Sequence, residues 1–323
     1  MDCRNAFEPW ASRGTLSRTP APPPPDSAQD NASDIYQTMR KAGLVVGWAS
    51  TVLVWLVLLF GSVAAWQGAD TLPKVNSVLA FCVCLWLLWG MTREKYRAWR
   101  GMLQLAAFWV VFHLFKPIRE FWIQRVFDAE LLAIDRALWG MSLPEYCMRL
   151  ENYWLTELVS FGYAQYYPMI IFSAVWFLWK RHSSEAYRFF IGLSMMHLFG
   201  FLGYLLVPAG GPYIAFPEAF PYPPEGGPIT GFLVNVITVG ITGMDVFPSL
   251  HTGMCLYILG FFVTGYLNFK TRAYLAVSIV VGLIYAPLQL ATVYLRYHYG
   301  IDLIAGALLA AAVLFYVRLR LGR

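Results

Sequence analysis

The chain has 323 residues, of which 58% are hydrophobic and only 13% are charged, and its formal net charge is +5. Soluble domains contain roughly half apolar and about a quarter charged residues, so this composition excludes an ordinary soluble globular protein. The surplus apolar surface must face lipid. The five cysteines are odd in number and lack zinc-site or thioredoxin spacing, and we interpret Cys82 and Cys84, which lie in one apolar run, as small membrane-facing or packing residues.

The N-terminal segment is the only long polar stretch. Residues 1–42 are rich in Pro, Ser and Asp, with consecutive prolines from Pro22 to Pro25. Such a segment cannot bury a core, which predicts a disordered tail. The apolar run that follows is too long for a signal-peptide core, so we expect it to be retained as a membrane helix.

Apolar runs close to the roughly 20 residues that a membrane helix needs occur about eight times. The predicted spans are Gly43–Trp66, Val75–Met91, Gly101–Phe115, Leu158–Trp179, Phe189–Val207, Gly253–Leu267, Ala273–Leu290 and Ile301–Val317. The third and sixth are short. The predicted fold is therefore an all-α, polytopic membrane bundle.

Basic residues fall on alternate loops, as the positive-inside rule describes. With eight spans and a cytoplasmic N-terminus, 14 basic residues lie on short inside segments, whereas residues 208–252 contain no Lys or Arg. We therefore predict that both termini are cytoplasmic and that the protein lies in the cell or inner membrane. The 208–252 loop and the segment around His298 are then predicted to share the non-cytoplasmic face.

Histidines give the first chemical signal. His182 lies in a basic loop, and His113 and His197 lie inside predicted spans, where a hydrogen bond to a neighbouring helix is the favoured interpretation. His251 and His298 differ because both lie at the start of a predicted helix on the same predicted side of the membrane.

The surroundings of these two histidines suit chemistry on an anion. His251 follows Ser249 in a Pro-bent helix start, where unpaired N–H groups and the helix dipole favour negative charge. His298 and Asp302 are four residues apart and share a helix face. A carboxylate there would fix the imidazole tautomer and leave the other ring nitrogen free to attack. A purely structural His–Asp tie is the alternative, and the nearby Pro-Ser-Leu-His sequence makes catalysis the favoured interpretation.

The pattern as a whole resembles a known family. Pro-Ser-Leu-His at 248–251, followed by His298-Tyr299-x-x-Asp302, resembles the second and third motifs of the type 2 phosphatidic acid phosphatase superfamily. Leu250 and the His-Tyr pair are more similar to the branch containing fungal inositol phosphorylceramide synthase. The resemblance covers roughly residues 100–320. It implies two accessory transmembrane helices at 43–91 and a phosphatase/phosphotransferase-like membrane domain at 92–323 with a six-helix core.

The resemblance also implies a reaction. His298 would attack the phosphorus of a lipid phosphate or phosphodiester and form a phosphohistidine, while Asp302 orients it and His251 serves as acid and then base. Water as acceptor gives a phosphatase, and a lipid alcohol gives an inositolphosphotransferase-like enzyme. The scheme needs no metal and no cofactor. The expected partner is a lipid substrate in the membrane, no nucleic-acid partner is expected, and a homo-oligomer is left open.

The sequence departs from the common phosphatase pattern at its cations. No Lys-x6-Arg-Pro motif is present, and Thr292 stands where the third motif commonly has Arg. Other groups must then stabilise the phosphate. The candidates are Ser249, Arg296, Lys116, Arg119 and the backbone amides of Gly210 and Gly211. Interfacial charges that extend to the headgroups are the alternative for the three cations, and a stiff cap at the membrane surface is the alternative for the 208–228 stretch.

Two rivals from other classes stay open. His251, His298 and Asp302 could hold zinc in a membrane hydrolase, although no His-Glu-x-x-His element is present. A transporter or channel is the second rival. Its site should lie near the bilayer midplane between repeated halves, and the sequence has neither feature.

Overall fold

The computed structural model describes residues 26–92, 99–180 and 183–321, and in this part of the chain it contains helices and no β-strand. The prediction of an all-α polytopic bundle is confirmed. Seven described helical segments are long and apolar enough to cross a membrane. They are Gln37–Gln67, Thr71–Gly90, Arg100–Phe121, Ser184–Leu206, Leu250–Phe269, Arg272–Tyr294 and Gly300–Leu319. The third and sixth predicted spans, short in the sequence analysis, extend to 22 and 20 residues.

The helices are numbered along the chain. They are α1 (Asp26–Gln67), α2 (Thr71–Thr92), α3 (Arg100–Phe112), α4 (Phe115–Phe121), α5 (Asp128–Trp139), α6 (Leu143–Met148), α7 (Tyr153–Ala164), α8 (Tyr166–Trp179), α9 (Ser184–Leu206), α10 (Pro212–Ala215), α11 (Pro228–Gly240), α12 (Leu250–Phe269), α13 (Arg272–Tyr294) and α14 (Gly300–Phe315). A π-helical turn, Tyr316–Arg320, continues α14.

The fourth predicted span, Leu158–Trp179, is divided into two helices. Pro168 has no N–H to donate to the carbonyl of Ala164, and the N–H of Gln165 turns back to the carbonyl of Gly162 at 3.1 Å. The chain therefore continues as α7 and α8 instead of one helix, and the described part has seven candidate spans where about eight were predicted.

The first helix begins earlier than expected. The structure places residues 26–42 in α1, whereas the sequence predicted disorder over 1–42. After the proline run this stretch contains no Pro or Gly and is rich in residues that tolerate or favour helix, so it can extend the membrane helix that follows. Residues 1–25 and His182 lie outside the described part of the chain.

Close contact between helix starts positions the site. A Cβ added to Gly306 of α14 would lie 2.2 Å from the carbonyl oxygen of Ser249, which immediately precedes α12. The N–H of Ser249 also donates to the carbonyl of Asp302 at 3.0 Å. The first turns of α12 and α14 are therefore in direct backbone contact.

The two histidines within spans have different surroundings. His197 is buried, its Nδ1 lies 2.9 Å from the carbonyl of Leu193, and its ring stacks on Phe108 at 5.0 Å. This packing agrees with the structural interpretation. His113 lines a groove of about 300 Å³ together with Asn76 of α2.

Candidate active site

The two histidines singled out in the sequence meet at the helix starts. His251 is the second residue of α12, and His298 lies two residues before α14. Nδ1 of His251 is 3.2 Å from Nε2 of His298, and the ring centroids are 5.4 Å apart. This contact brings the two motifs together.

Asp302 lies on the other side of His298. Its Oδ2 is 3.5 Å from His298 Nδ1 and accepts a hydrogen bond from the N–H of Tyr299 at 2.8 Å. Asp302 is fully buried, and its Oδ1 has no hydrogen-bond partner in the described part of the chain. The two nitrogens of His298 thus face two different groups. When His251 donates its Nδ1–H, Nε2 of His298 carries the lone pair and Nδ1–H faces the carboxylate.

Burial sets the charge of His298. Because water is excluded, the pKa of His298 is lowered to about 4, although the Asp245 carboxylate and the backbone of Val246 oppose that shift. Asp245 accepts a hydrogen bond from the hydroxyl of Thr242, and burial raises the pKa of Asp245. At neutral pH His298 is therefore the uncharged imidazole, which is the form that can act as a nucleophile.

Tyrosines enclose His251. Its ring stacks on Tyr163 at 4.6 Å and lies 4.3 Å from the ring of Tyr166. Tyr297 packs against Tyr163 at 4.9 Å, and its hydroxyl lies 2.7 Å from that of Tyr222. These tyrosines were not among the predicted site residues, because they come from three separate segments that only the tertiary fold brings together.

Ser249 caps the helix that carries His251. Its side chain accepts a hydrogen bond from the N–H of Thr252 at 3.3 Å, and the residue is fully buried. An N-cap serine stabilises the helix start by satisfying one of its free amides. The predicted phosphate contact of Ser249 stays a prediction, since in this arrangement its oxygen serves the helix.

The glycine amides predicted to contact phosphate are already in use. The N–H of Gly210 donates to both oxygens of Asp128 at 3.1 and 3.0 Å, and the N–H of Gly211 donates to Oδ1 at 2.8 Å. The interpretation of Gly210 and Gly211 as bare amides is therefore wrong. Gly211 has φ +88°, and a Cβ there would lie 2.3 Å from the carbonyl oxygen of Tyr297, so this glycine permits a close backbone approach.

The three candidate cations make their polar contacts elsewhere. Arg296 is 2% exposed and forms an ion pair with Glu151. Arg119 donates to the carbonyl of Ile123 at 2.8 Å and lines a cavity of about 340 Å³. Lys116 is exposed. The structure therefore does not bring the proposed cations to the histidine pair, and their role toward phosphate stays a prediction.

Comparison with known proteins identifies the family. A family model described as the PAP2 superfamily matches residues 129–316, which is more than half of the chain and contains His251, His298 and Asp302. The chain belongs to the PAP2 superfamily. Members of this superfamily are phosphatases, which supports an enzyme here, and the apolar helices indicate an integral membrane protein. No curated protein and no solved structure matches the chain.

Two acidic residues of this PAP2 superfamily member escaped the sequence analysis. Asp128, besides binding the glycine amides, accepts a hydrogen bond from the Tyr299 hydroxyl at 3.0 Å. Asp135 accepts from the N–H groups of Gly300 at 3.0 Å and Ile301 at 2.8 Å. A signal was present, because two aspartates seven residues apart share one face of a helix.

The arrangement does not favour zinc bound by the three motif residues of this PAP2 domain. His251 faces Nε2 of His298 and Asp302 faces Nδ1, so the three side chains do not converge on one point. Over residues 26–92, 99–180 and 183–321, no group of three or more His, Cys, Asp or Glu side chains is placed to hold a metal ion.

Proposed function

We propose that this chain is an integral membrane lipid phosphotransferase or phosphatase that acts through a phosphohistidine on His298. The observation that carries the proposal is the 3.2 Å contact between His251 and His298, with Asp302 behind His298 at 3.5 Å. One nucleophile, one proton carrier and one orienting carboxylate are the groups that a two-step phosphoryl transfer needs.

In the first step, Nε2 of His298 forms a bond to phosphorus and the bond from phosphorus to the leaving oxygen breaks. Protonated His251 gives its proton to that oxygen. Because the two nitrogens now touch, the phosphoryl group must enter between the rings and separate them. In-line attack then places the leaving oxygen toward His251.

In the second step, an acceptor O–H attacks the phosphohistidine. The acceptor oxygen bonds to phosphorus, the bond from Nε2 to phosphorus breaks, and His251 receives the acceptor's proton. Water as acceptor completes a phosphatase cycle. A lipid alcohol as acceptor completes headgroup transfer, and this chemistry requires no metal and no cofactor.

The charges favour a phosphodiester donor. The positive charge of Arg296 is neutralised by Glu151. Two carboxylates lie on the His298 side: Asp245, whose charge favours the protonated form of His298, and Asp302, which is 3.5 Å from His298 Nδ1. A phosphate monoester dianion would meet more repulsion here than a phosphodiester monoanion. With Leu250 and the His-Tyr pair of the motifs, this supports headgroup transfer of the inositolphosphotransferase-like kind.

The site is proposed to face the non-cytoplasmic side, with both termini in the cytoplasm and with α7 and α8 together forming one further crossing beside the seven candidate spans. The support is the concentration of basic residues on the alternate loops and their absence from residues 208–252. A reporter fused after Arg323 that is active only outside the cytoplasm would contradict this orientation.

The decisive experiment is turnover by the full-length protein in liposomes. The substrates are a panel of lipid phosphates and phosphodiesters, each with and without ceramide or diacylglycerol, and mass spectrometry detects the products. The expected result is transfer of a phosphodiester headgroup to the lipid alcohol, lost in the His298→Ala control. Release of inorganic phosphate from monoesters would select the phosphatase, and solute flux without any product would select the transporter.

A further inference from the structure

Helix α5 presents a buried acidic face to the catalytic segment. Asp128 and Asp135 lie two turns apart on this helix and are 4% and 0% exposed. Buried carboxylates are costly unless hydrogen-bonded. Both carboxylates accept hydrogen bonds mainly from backbone N–H groups in the loops around His298, rather than from cationic side chains. The acidic face of α5 therefore determines where those loops lie.

Asp128 holds the residues on both sides of His298 through two sets of contacts. It accepts a hydrogen bond from the hydroxyl of Tyr299, the residue directly after His298. It also binds the amides of Gly210 and Gly211, and Gly211 rests against the carbonyl of Tyr297, the residue directly before His298. A movement of the Asp128 carboxylate would therefore reach both neighbours of His298.

Asp135 fixes the start of α14. It accepts hydrogen bonds from the N–H groups of Gly300 and Ile301, which are the last two residues before Asp302. A carboxylate at this position also stabilises the positive end of the helix dipole. The N–H of Tyr299 donates to Asp302 itself. All three residues between His298 and Asp302 therefore donate a backbone hydrogen bond to a carboxylate.

We propose that Asp128 and Asp135 are positioning residues for phosphoryl transfer, which hold His298 and Asp302 in register through the backbone of residues 297–301. This inference rests on the proposed function. The two aspartates do not contact the reacting atoms, so they act through the placement of His298. A displacement of about 1 Å in a reacting group can cost on the order of 10²-fold in rate.

The test compares amide variants on the two faces of α5. Asp128→Asn and Asp135→Asn each keep one acceptor oxygen but lose the charge and the second acceptor. The matched control is Glu130→Gln on the outer face, where Glu130 is half exposed and pairs only with exposed Arg125 in the described part of the chain. Tyr299→Phe removes one contact of Asp128 and leaves its glycine contacts in place.

We expect the buried-face variants to lower kcat by about 10- to 100-fold while KM changes less than about threefold. Because the nucleophile is misplaced, the loss should be equal for poor and good leaving groups. Glu130→Gln should match the wild type. If Asp128→Asn does not fold, Tyr299→Phe takes its place and should show a smaller loss of the same kind.

A second readout separates this inference from the proposed function. In protein labelled with 13C at histidine, the ring signal of His298 should shift in Asp128→Asn and Tyr299→Phe but not in Glu130→Gln, whether or not a substrate is found. Absence of turnover in every protein, with the signal shifted, would overturn the proposed function alone. Wild-type kcat and an unmoved His298 signal in the folded buried-face variants would overturn the positioning role.

Discussion

The two ends of the bundle bury charge in different ways. Helices α9, α12 and α14 run between the histidine pair and a second polar cluster roughly 24 Å away along α14. In that second cluster, Glu185 pairs through Oε1 with Arg188 at 2.8 Å and through Oε2 with Arg318 at 2.6 Å. The guanidinium groups also donate to backbone carbonyls at 2.9 Å and 2.6 Å. Both oxygens of Glu185 therefore have a cationic partner.

The histidine end lacks this matching. Asp302 uses one oxygen for a backbone amide, and its other oxygen has no partner among the described residues. His298 Nδ1 faces that carboxylate at 3.5 Å, which is longer than a hydrogen bond. Buried polar groups are normally satisfied, so unmatched ones point to a functional site. The comparison teaches that one end gives its buried carboxylate two cationic partners for stability, while the other leaves its buried carboxylate with capacity for a substrate.

Loss of the proposed nucleophile should have the largest effect. His298→Ala should lower turnover by at least about 10⁴-fold and abolish any covalent phosphoenzyme, because the proposed nucleophile is gone. Acid-labile radioactive phosphate on the protein, followed with a labelled donor, measures the intermediate. A trapped phosphate on His251 instead would reverse the assignment of the two histidines.

Loss of the proposed acid should be severe but conditional. His251→Ala removes a proton carrier, which is worth about 10²–10⁴-fold, while the nucleophile stays in place. A donor with a good leaving group needs little protonation and should recover much of that loss. The same donor should leave His298→Ala inactive, and equal recovery in both variants would contradict the division of labour.

Asp302→Asn should cost less than either histidine. An asparagine can favour the wrong tautomer of His298, which in a hydrogen-bonded triad costs about 10⁴-fold. Here the 3.5 Å separation indicates a weaker contact, so we expect a loss of about 10²-fold with the fold retained. Steady-state kinetics with the good-leaving-group donor and a thermal unfolding curve check the two halves of this expectation.

The pH profile should show an unusually acidic limb. The neutral imidazole of His298 attacks, and its pKa is lowered to about 4, so activity should be kept as pH falls to 5 and be lost as pH falls through about 4. An ordinary histidine with a pKa near 6.5 would lose about 30-fold at pH 5. The good-leaving-group donor isolates this limb from the titration of His251, and an acidic midpoint near 6.5 would show that His298 is not shielded from water.

Short-range patterns made the broad features predictable. Hydrophobic run lengths gave the helical bundle, and the four-residue spacing of His298 and Asp302 placed them on one helix start. The break at Gln165 was also readable, since Pro168 interrupts the hydrogen-bond ladder. The partner of Arg296, 145 residues away at Glu151, and the partners of Asp128, 82 or more residues away, were not. Such contacts depend on tertiary packing, which leaves no periodic trace in the chain.

The Glu185 end supplies the variant with the smallest effect on turnover. Glu185→Gln leaves Arg188 and Arg318 without their carboxylate, and breaking a buried ion pair on one side costs about 3–5 kcal/mol. We expect a large drop in the free energy of unfolding. The kcat of the folded fraction should change less than about twofold, because the histidine pair lies at the other end of the helices.

Unfolding in detergent and turnover normalised to folded protein measure the two quantities on the same sample. Glu130→Gln is the control, since an exposed ion pair contributes little to the free energy of unfolding. If Glu185→Gln instead lowered kcat as strongly as Asp302→Asn while leaving stability unchanged, the two ends would be coupled. The contrast between a charge-paired end and a reactive end would then not hold.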